Sequence, residues 1–204
     1  MSKVVIVANA GLKNCRQAGV EIDNFDVVVR MNRFVTTGYE EYLGTKTDSW
    51  YINRKILLQK TNRYFKFYNK NWDNHKIKYS TLNECVMMTY CHEKDEAESL
   101  RKEDMVIDSN IKVADTYNVM CELTDRWKDI YSNDGFKKPG TGILAILYHI
   151  NLNDEVYIHN FDWGKTHHYW GVKGPEDVPS NHHTWGFEEK VVEDLIKENK
   201  IKIL

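Results

Sequence analysis

Short apolar, β-branched runs recur along the chain between longer stretches of mixed polarity, and this rhythm predicts strands alternating with helices. Lys3 to Ala8 (KVVIVA) is apolar without interruption, the pattern of a strand covered on both faces of a parallel sheet. Asp26 to Met31 (DVVVRM) follows at the spacing of a βαβ unit. Asp48 to Ile52 (DSWYI), Cys85 to Tyr90 (CVMMTY), Asp154 to Ile158 (DEVYI) and Ile201 to Leu204 read as further strands. Helical patterns cover Lys55 to Tyr68, Lys94 to Lys102, Asp115 to Tyr131, the apolar run ILAILYHI after Gly142, and Glu188 to Glu198 with two acids in its first turn, where the helix dipole favours negative charge. Gly38 to Thr47 reads as a loop. With no repeat, low-complexity tract or linker, residues 1–204 are expected to form a single α/β domain.

Composition narrows the function classes. With 42% hydrophobic and 28% charged residues the chain can bury a sizeable core, and a net charge of −2 leaves no basic footprint for a nucleic-acid backbone. The aromatic and basic residues from Arg63 to Trp72 therefore read as a solvated face or an acceptor-side surface. No run approaches the roughly 18 consecutive apolar residues of a membrane span, and MSKVVIVANAG lacks the pattern of a signal peptide. Cys15, Cys85, Cys91 and Cys121 form no CxxC pair, so reduced thiols and a cytoplasmic location are the expectation.

Polar residues gather where the strands end. Asn9-Ala10-Gly11 follows the first strand, Asn32-Arg33 the second and Asn53-Arg54 the third. In an open parallel sheet, ligands sit beyond the carboxyl ends of the strands, and asparagine both donates to and accepts from a nucleobase or ribose. The ANAG turn is nevertheless neither GxGxxG nor a Walker loop, and it also reads as a plain strand-to-helix turn. Lys138-Pro139-Gly140-Thr141-Gly142 opens the apolar helix. The Thr141 hydroxyl is suited to capping it, and the first N–H groups suit an anion, although a well-capped core helix explains the motif equally.

The stretch from His159 to Glu189 holds His159, His167, His168, His182 and His183 among aromatics and turn residues. Histidine titrates near neutrality, with an unperturbed pKa of about 6.5, so two HH pairs in such a setting read as a site. A structural zinc half-site (CxxC or H-x3-5-H) is absent, as is the GxSxG elbow of a serine hydrolase. Two histidines facing one crevice suffice for a general base opposite a phosphate-binding group. HH pairs also occur as solvated loop residues, and a histidine beside tryptophan also occurs as a packed core residue.

Taken in order, ANAG, VVVRMN, PGTG before an apolar helix, DEV, HHYW and His183 followed by Glu188 (HTWGFE) resemble the sequence motifs L, S, III and VS of the eukaryotic-type sialyltransferases, family 29. The resemblance covers roughly residues 4–54 and 138–204. It implies a Rossmann-like sheet, a variant of the GT-A glycosyltransferase fold, and inverting transfer of a 2-keto sugar acid from its CMP conjugate to a glycan or glycolipid hydroxyl, without a metal or other cofactor. Asn9 and Asn32 would hold CMP; Gly140, Thr141, Gly142 and Tyr169 would contact the donor. His168 would bind the departing phosphate and His183 would act as general base, while Glu188 would position rather than react. The sequence departs from the family pattern at Val4 and Asn153, where the motif cysteines usually stand, at Ala8 (usually glycine) and at Gly140 (usually serine). These changes leave CMP-sialic acid and CMP-3-deoxy-manno-octulosonate both open as donors. An acceptor carried on a lipid would bring the protein to a membrane surface. A non-catalytic nucleotide- or glycan-binding Rossmann-like protein and a metal-dependent hydrolase using the HH pairs are the competing readings.

Overall fold

A computed structural model describes residues 1–32, 34–53, 84–88, 111–113, 117–129, 139–152, 154–169 and 185–204. Among the described residues, seven strands form one sheet: β1 (Lys3–Val7), β2 (Val27–Met31), β3 (Ser49–Asn53), β4 (Glu84–Met88), β5 (Ile111–Val113), β6 (Glu155–His159) and β7 (Ile201–Ile203). Their order is β5-β4-β3-β2-β1-β6-β7, and every pair is parallel. β1 lies inside the sheet, paired with β2 through Val4 against Val27 and with β6 through Val4 against Val156. Its reading as a strand covered on both faces holds, since Val4, Val5, Ile6 and Val7 are all buried. Each such side chain contributes roughly 1.5–3 kcal/mol through burial.

Strand alternation sorts the core into two layers. Val4, Ile6, Val29, Met31, Val156 and Ile158 face helices α3 (Tyr117–Arg126), α4 (Thr141–Asn151) and α5 (Trp185–Lys197). Val5, Val7 and Val28 face the short helices α1 (Gly19–Asp23) and α2 (Glu40–Leu43). The chain winds outward from β1 to β5 on one side of the sheet, then returns to place β6 on the other side of β1. The boundary between β1 and β6 is thus the topological switch point, the place where open parallel sheets commonly receive ligands at their carboxyl ends.

Several expected boundaries shift. α2 falls inside Gly38 to Thr47, read as a loop, because the four residues of a single helical turn give too short a window for periodicity. The strand expected at Cys85 to Tyr90 is observed as Glu84–Met88, and the helix expected at Asp115 to Tyr131 as Tyr117–Arg126. β5 was not anticipated; three residues containing a lysine carry too little pattern. The last helix starts earlier than expected, at Trp185. Lys55 to Tyr68 and Lys94 to Lys102 lie outside the described residues. No described helix is long and apolar enough to cross a membrane.

Two buried polar groups organise the loops. Arg30, 1% exposed on β2, donates from Nη2 to the carbonyls of Leu43 and Lys46 and from Nε to Thr47 Oγ1 at 2.9 Å. Desolvation pulls its guanidinium down to about 10. His149 near the end of α4 lies 2.8 Å from the Tyr51 hydroxyl and 2.9 Å from Asp154 Oδ2, joining α4 to β3 and to the start of β6.

Candidate active site at the strand ends

Three asparagines mark the carboxyl ends of the central strands. Asn9 follows β1 and donates from Nδ2 to the Met31 carbonyl at 3.0 Å, tying the first strand-end turn to the second. Asn32 adopts a left-handed backbone, φ +50°, which asparagine tolerates better than most residues. Its Nδ2 lies 3.2 Å from Thr141 Oγ1, and its carbonyl accepts the Trp50 indole N–H at 2.5 Å. Asn160, after β6 and also left-handed at φ +57°, donates to the Ala10 carbonyl at 2.8 Å. This third asparagine was missed in the sequence, although it follows its strand just as Asn9 and Asn32 follow theirs.

Thr141 has a different local role from the one expected. Gly140, with extended backbone, is the N-cap of α4 and makes no side-chain cap; Thr141 is the first helical residue, and its hydroxyl meets Asn32 instead. The α4 start is thereby fixed to the end of β2, and its first-turn amides lack intrahelical acceptors by helix geometry. Gly142 is needed for packing: a Cβ there would come within 2.8 Å of the Phe161 ring.

Glu188 closes this end of the helix. Buried in the first turn of α5, it accepts the Gly140 N–H at 2.7 Å. Desolvation raises its carboxyl to about 7, against the opposing effect of that hydrogen bond. Its carboxylate thus joins the start of α5 to the start of α4.

The loop after β6 carries His168 across the strand ends. Phe161 and Trp163 pack with the α4 and α5 layer, whereas Tyr169 packs with the α1 and α2 layer, so this segment passes over the end of β1. Gly11 N–H donates to Thr166 Oγ1 at 2.6 Å, and Tyr169 N–H donates to the Asn9 carbonyl at 3.3 Å. His168 is exposed, and its Nδ1 sits 3.0 Å from the same carbonyl. A carbonyl oxygen only accepts, so in this contact Nδ1 carries the proton. Asn9, Asn32, Thr141 and His168 therefore share one hydrogen-bonded strand-end framework.

Other residues of the histidine stretch divide differently. His159 is buried at the end of β6, with Nε2 3.1 Å from the Tyr42 carbonyl and 3.3 Å from Cys15 Sγ; desolvation lowers its pKa. It is a packed core histidine, so its inclusion among the site-like histidines is corrected by burial. Tyr169 uses its hydroxyl on Val35, donating to the carbonyl at 2.6 Å and accepting the N–H at 3.0 Å, and burial lifts the phenol to about 12. Any donor contact would have to come from its ring or backbone. His167 is exposed, while His182 and His183 lie outside the described residues. Among the described residues, no group of three or more His, Cys, Asp or Glu side chains could hold a metal ion.

A parallel sheet with helices on both faces and polar groups converging at its switch point places the protein among the Rossmann-like α/β folds. The model of glycosyltransferase family 29 (sialyltransferase) matches residues 1–200, and the chain belongs to this family. It is 28% identical over 211 residues to CMP-N-acetylneuraminate-beta-galactosamide-alpha-2,3-sialyltransferase 1 of Gallus gallus, covering 98% of this chain and 57% of the relative. The corresponding protein of Homo sapiens is 26% identical over 220 residues, with 98% and 58% coverage. The chain thus spans little more than half the length of these curated relatives. Among solved structures, monofunctional alpha-2,3-sialyltransferase Cst-I from Campylobacter jejuni gives a TM-score of 0.63 at 18% identity, covering 100% of this chain and 74% of that one. CstII from the same organism, in complex with cytidine-5'-monophosphate, gives 0.61 at 19% identity, covering 100% and 79%. A mammalian sialyltransferase in complex with Gal-beta-1-3GalNAc-ortho-nitrophenol gives 0.58 at 22% identity, covering 100% and 69%. These likenesses establish the GT-A-like, Rossmann-type sialyltransferase fold.

Proposed function

We propose that the protein is an inverting glycosyltransferase that moves sialic acid, or a related 2-keto sugar acid, from its CMP conjugate to a glycan or glycolipid hydroxyl. The observation that carries this reading is the convergence of Asn9, Asn32, Thr141 and His168 at the carboxyl ends of the strands in a chain belonging to the sialyltransferase family. Asn9 and Asn32 hold the CMP moiety, and the start of α4 receives the donor. His183 takes the proton from the acceptor hydroxyl as its oxygen attacks the anomeric carbon. The bond from that carbon to the phosphate oxygen breaks, and the electron pair leaves with CMP. His168, as the imidazolium, already donates Nδ1–H to Asn9 and gives its Nε2–H to a phosphate oxygen, stabilising charge where it develops.

A monophosphate leaving group carries less charge than a diphosphate, and the sequence holds no Asp-x-Asp motif, which supports a metal-independent reaction. The bovine relative named lactosylceramide alpha-2,3-sialyltransferase, 22% identical over 172 residues and covering 78% of this chain and 40% of that relative, supports keeping glycolipids among the acceptors. The reading is tested by calorimetric titration with CMP, AMP and UMP, with and without chelator, followed by transfer assays using CMP-sialic acid and CMP-3-deoxy-manno-octulosonate. Selective CMP binding that survives chelation is expected. His183→Ala should retain CMP binding and lose about 10²–10⁴ in transfer rate, the usual worth of a general base. CMP binding without transfer by the wild type would favour the non-catalytic reading, and preference for another nucleotide would refute the donor class.

A further inference from the structure

One threonine seats the loop that carries His168 on the turn after β1. Lys165, His167 and His168 are exposed, whereas Thr166 among them is partly buried. Its Oγ1 accepts the Gly11 N–H at 2.6 Å and donates to Asp162 Oδ2. An amide N–H only donates and a carboxylate only accepts, so the hydroxyl has a single way to serve both. Asp162 is itself held within the loop: its Oδ1 accepts the Gly164 N–H at 3.1 Å, and its backbone carbonyl accepts the Lys165 N–H at 3.3 Å. The fit to the turn is close. A Cβ on Gly11 would lie 2.9 Å from Thr166 Oγ1 and 3.2 Å from the His167 carbonyl oxygen. Two residues beyond Thr166, His168 Nδ1 reaches the Asn9 carbonyl at 3.0 Å. The two ends of the Asn9-Ala10-Gly11 turn therefore meet His168 and Thr166, and Asn160 Nδ2 meets the Ala10 carbonyl between them at 2.8 Å.

We propose that Thr166 is a positioning residue: its hydroxyl, aimed by Asp162 and seated on the Gly11 N–H, holds the loop at the setting in which His168 Nδ1 meets the Asn9 carbonyl. This inference rests on the role given to His168 above. An exposed imidazole has little packing to fix it, so its orientation follows from where the backbone of its loop is placed. The Tyr169 N–H, 3.3 Å from the same Asn9 carbonyl, secures the loop after His168, and Thr166 secures it before. With Nδ1 committed to Asn9, the Nε2 side of the ring is the one presented to the departing phosphate. A loop displaced by roughly an ångström would carry that nitrogen out of hydrogen-bond range. Threonine suits the task because its β-branched side chain is stiff at χ1, so the hydroxyl keeps its direction once the backbone is set.

Thr166→Val, Thr166→Ser and Gly11→Ala test this proposal, with His168→Ala serving to assign the imidazole signals. Thr166→Val keeps the shape of the side chain and removes the hydroxyl. Gly11→Ala, at a φ of −62° that alanine adopts without strain, crowds the same contact from the side of the turn. In both variants turnover with CMP-sialic acid should fall about 10- to 100-fold with little change in the acceptor KM, the effect of misplacing a reacting group by roughly an ångström. Ring-nitrogen NMR gives a readout that requires no activity. Neutral His168 in the wild type should carry its proton on Nδ1; in Thr166→Val and Gly11→Ala its signals should move toward the Nε2–H tautomer. Thr166→Ser, which keeps the hydroxyl, should restore the Nδ1–H signature and most of the turnover. Undiminished turnover in Thr166→Val would overturn the proposal. So would a loss of turnover and melting temperature with the His168 tautomer unchanged, since that would mark a general folding role. Wild-type protein that neither binds CMP nor transfers sugar would refute the proposed reaction, while the His168 tautomer in these variants would still decide whether Thr166 places the imidazole.

Discussion

Glu188 illustrates how a buried carboxyl can hold a site together at a cost. The hydrogen bond it accepts from the Gly140 N–H does not offset desolvation, so its pKa rises from 4.5 to about 7. The folded state consequently binds the proton more tightly than the unfolded chain. Below about pH 4.5 both states are protonated and there is no penalty; as pH rises through the window to about 7 the penalty grows, and above it remains constant. Between about pH 5 and pH 8 the wild type should lose roughly 2–3 kcal/mol of stability through this group. Glu188→Gln keeps an acceptor for Gly140 and removes the charge, so that component of the pH dependence should disappear. Urea denaturation of both proteins across the same range measures the difference, and parallel pH profiles would show that Glu188 is not the titrating group.

At α1 and α2, backbone approach decides the packing. A Cβ on Gly19 would lie 1.8 Å from the Glu40 carbonyl oxygen, a contact no side-chain rotation relieves. Gly19→Ala should therefore push the helices apart and cost about 3 kcal/mol, the upper part of the overpacking range, seen as a lowered thermal midpoint. The adjoining turn should loosen too, because Asp23 at the end of α1 accepts the N–H groups of Thr45 and Lys46. The legibility of such features in sequence follows from their physical basis. The β1 and β2 runs and the α4 apolar run were readable because continuous burial demands continuous apolar sequence. Asn9, Asn32 and His168 were legible as polar residues following predictable elements or as part of the family resemblance. The hydrogen bond between Gly11 and Thr166, the three-residue β5 and the retreat of His159 into the core depend on residues distant in the chain. Local periodicity carries no record of which surface a glycine or a histidine will meet, so the same histidine stretch contained both a buried core residue, His159, and an exposed one at the strand ends, His168.

Across the whole molecule, the His168 loop couples the two layers of the sheet at its switch point. Phe161 and Trp163 belong to one core cluster and Tyr169 to the other, while Gly11 and Tyr169 amides fasten the intervening segment to the β1 turn. A ligand held by Asn9 on one side and by Asn32 with α4 on the other would bind only when these parts are assembled. CMP should accordingly stabilise the entire fold, by about 2.7 kcal/mol at a free concentration 100 times its dissociation constant, if the unfolded chain does not bind it. Hydrogen exchange can distinguish this bridging mode from attachment to a single element. Bridging predicts slower exchange at Gly11 and Tyr169 together with the amides at the α4 start, since opening either side would release the ligand. Protection confined to Thr141 and Gly142 would instead place CMP on the α4 side alone, and the hydrogen bond between His168 and Asn9 would then have no part in holding it.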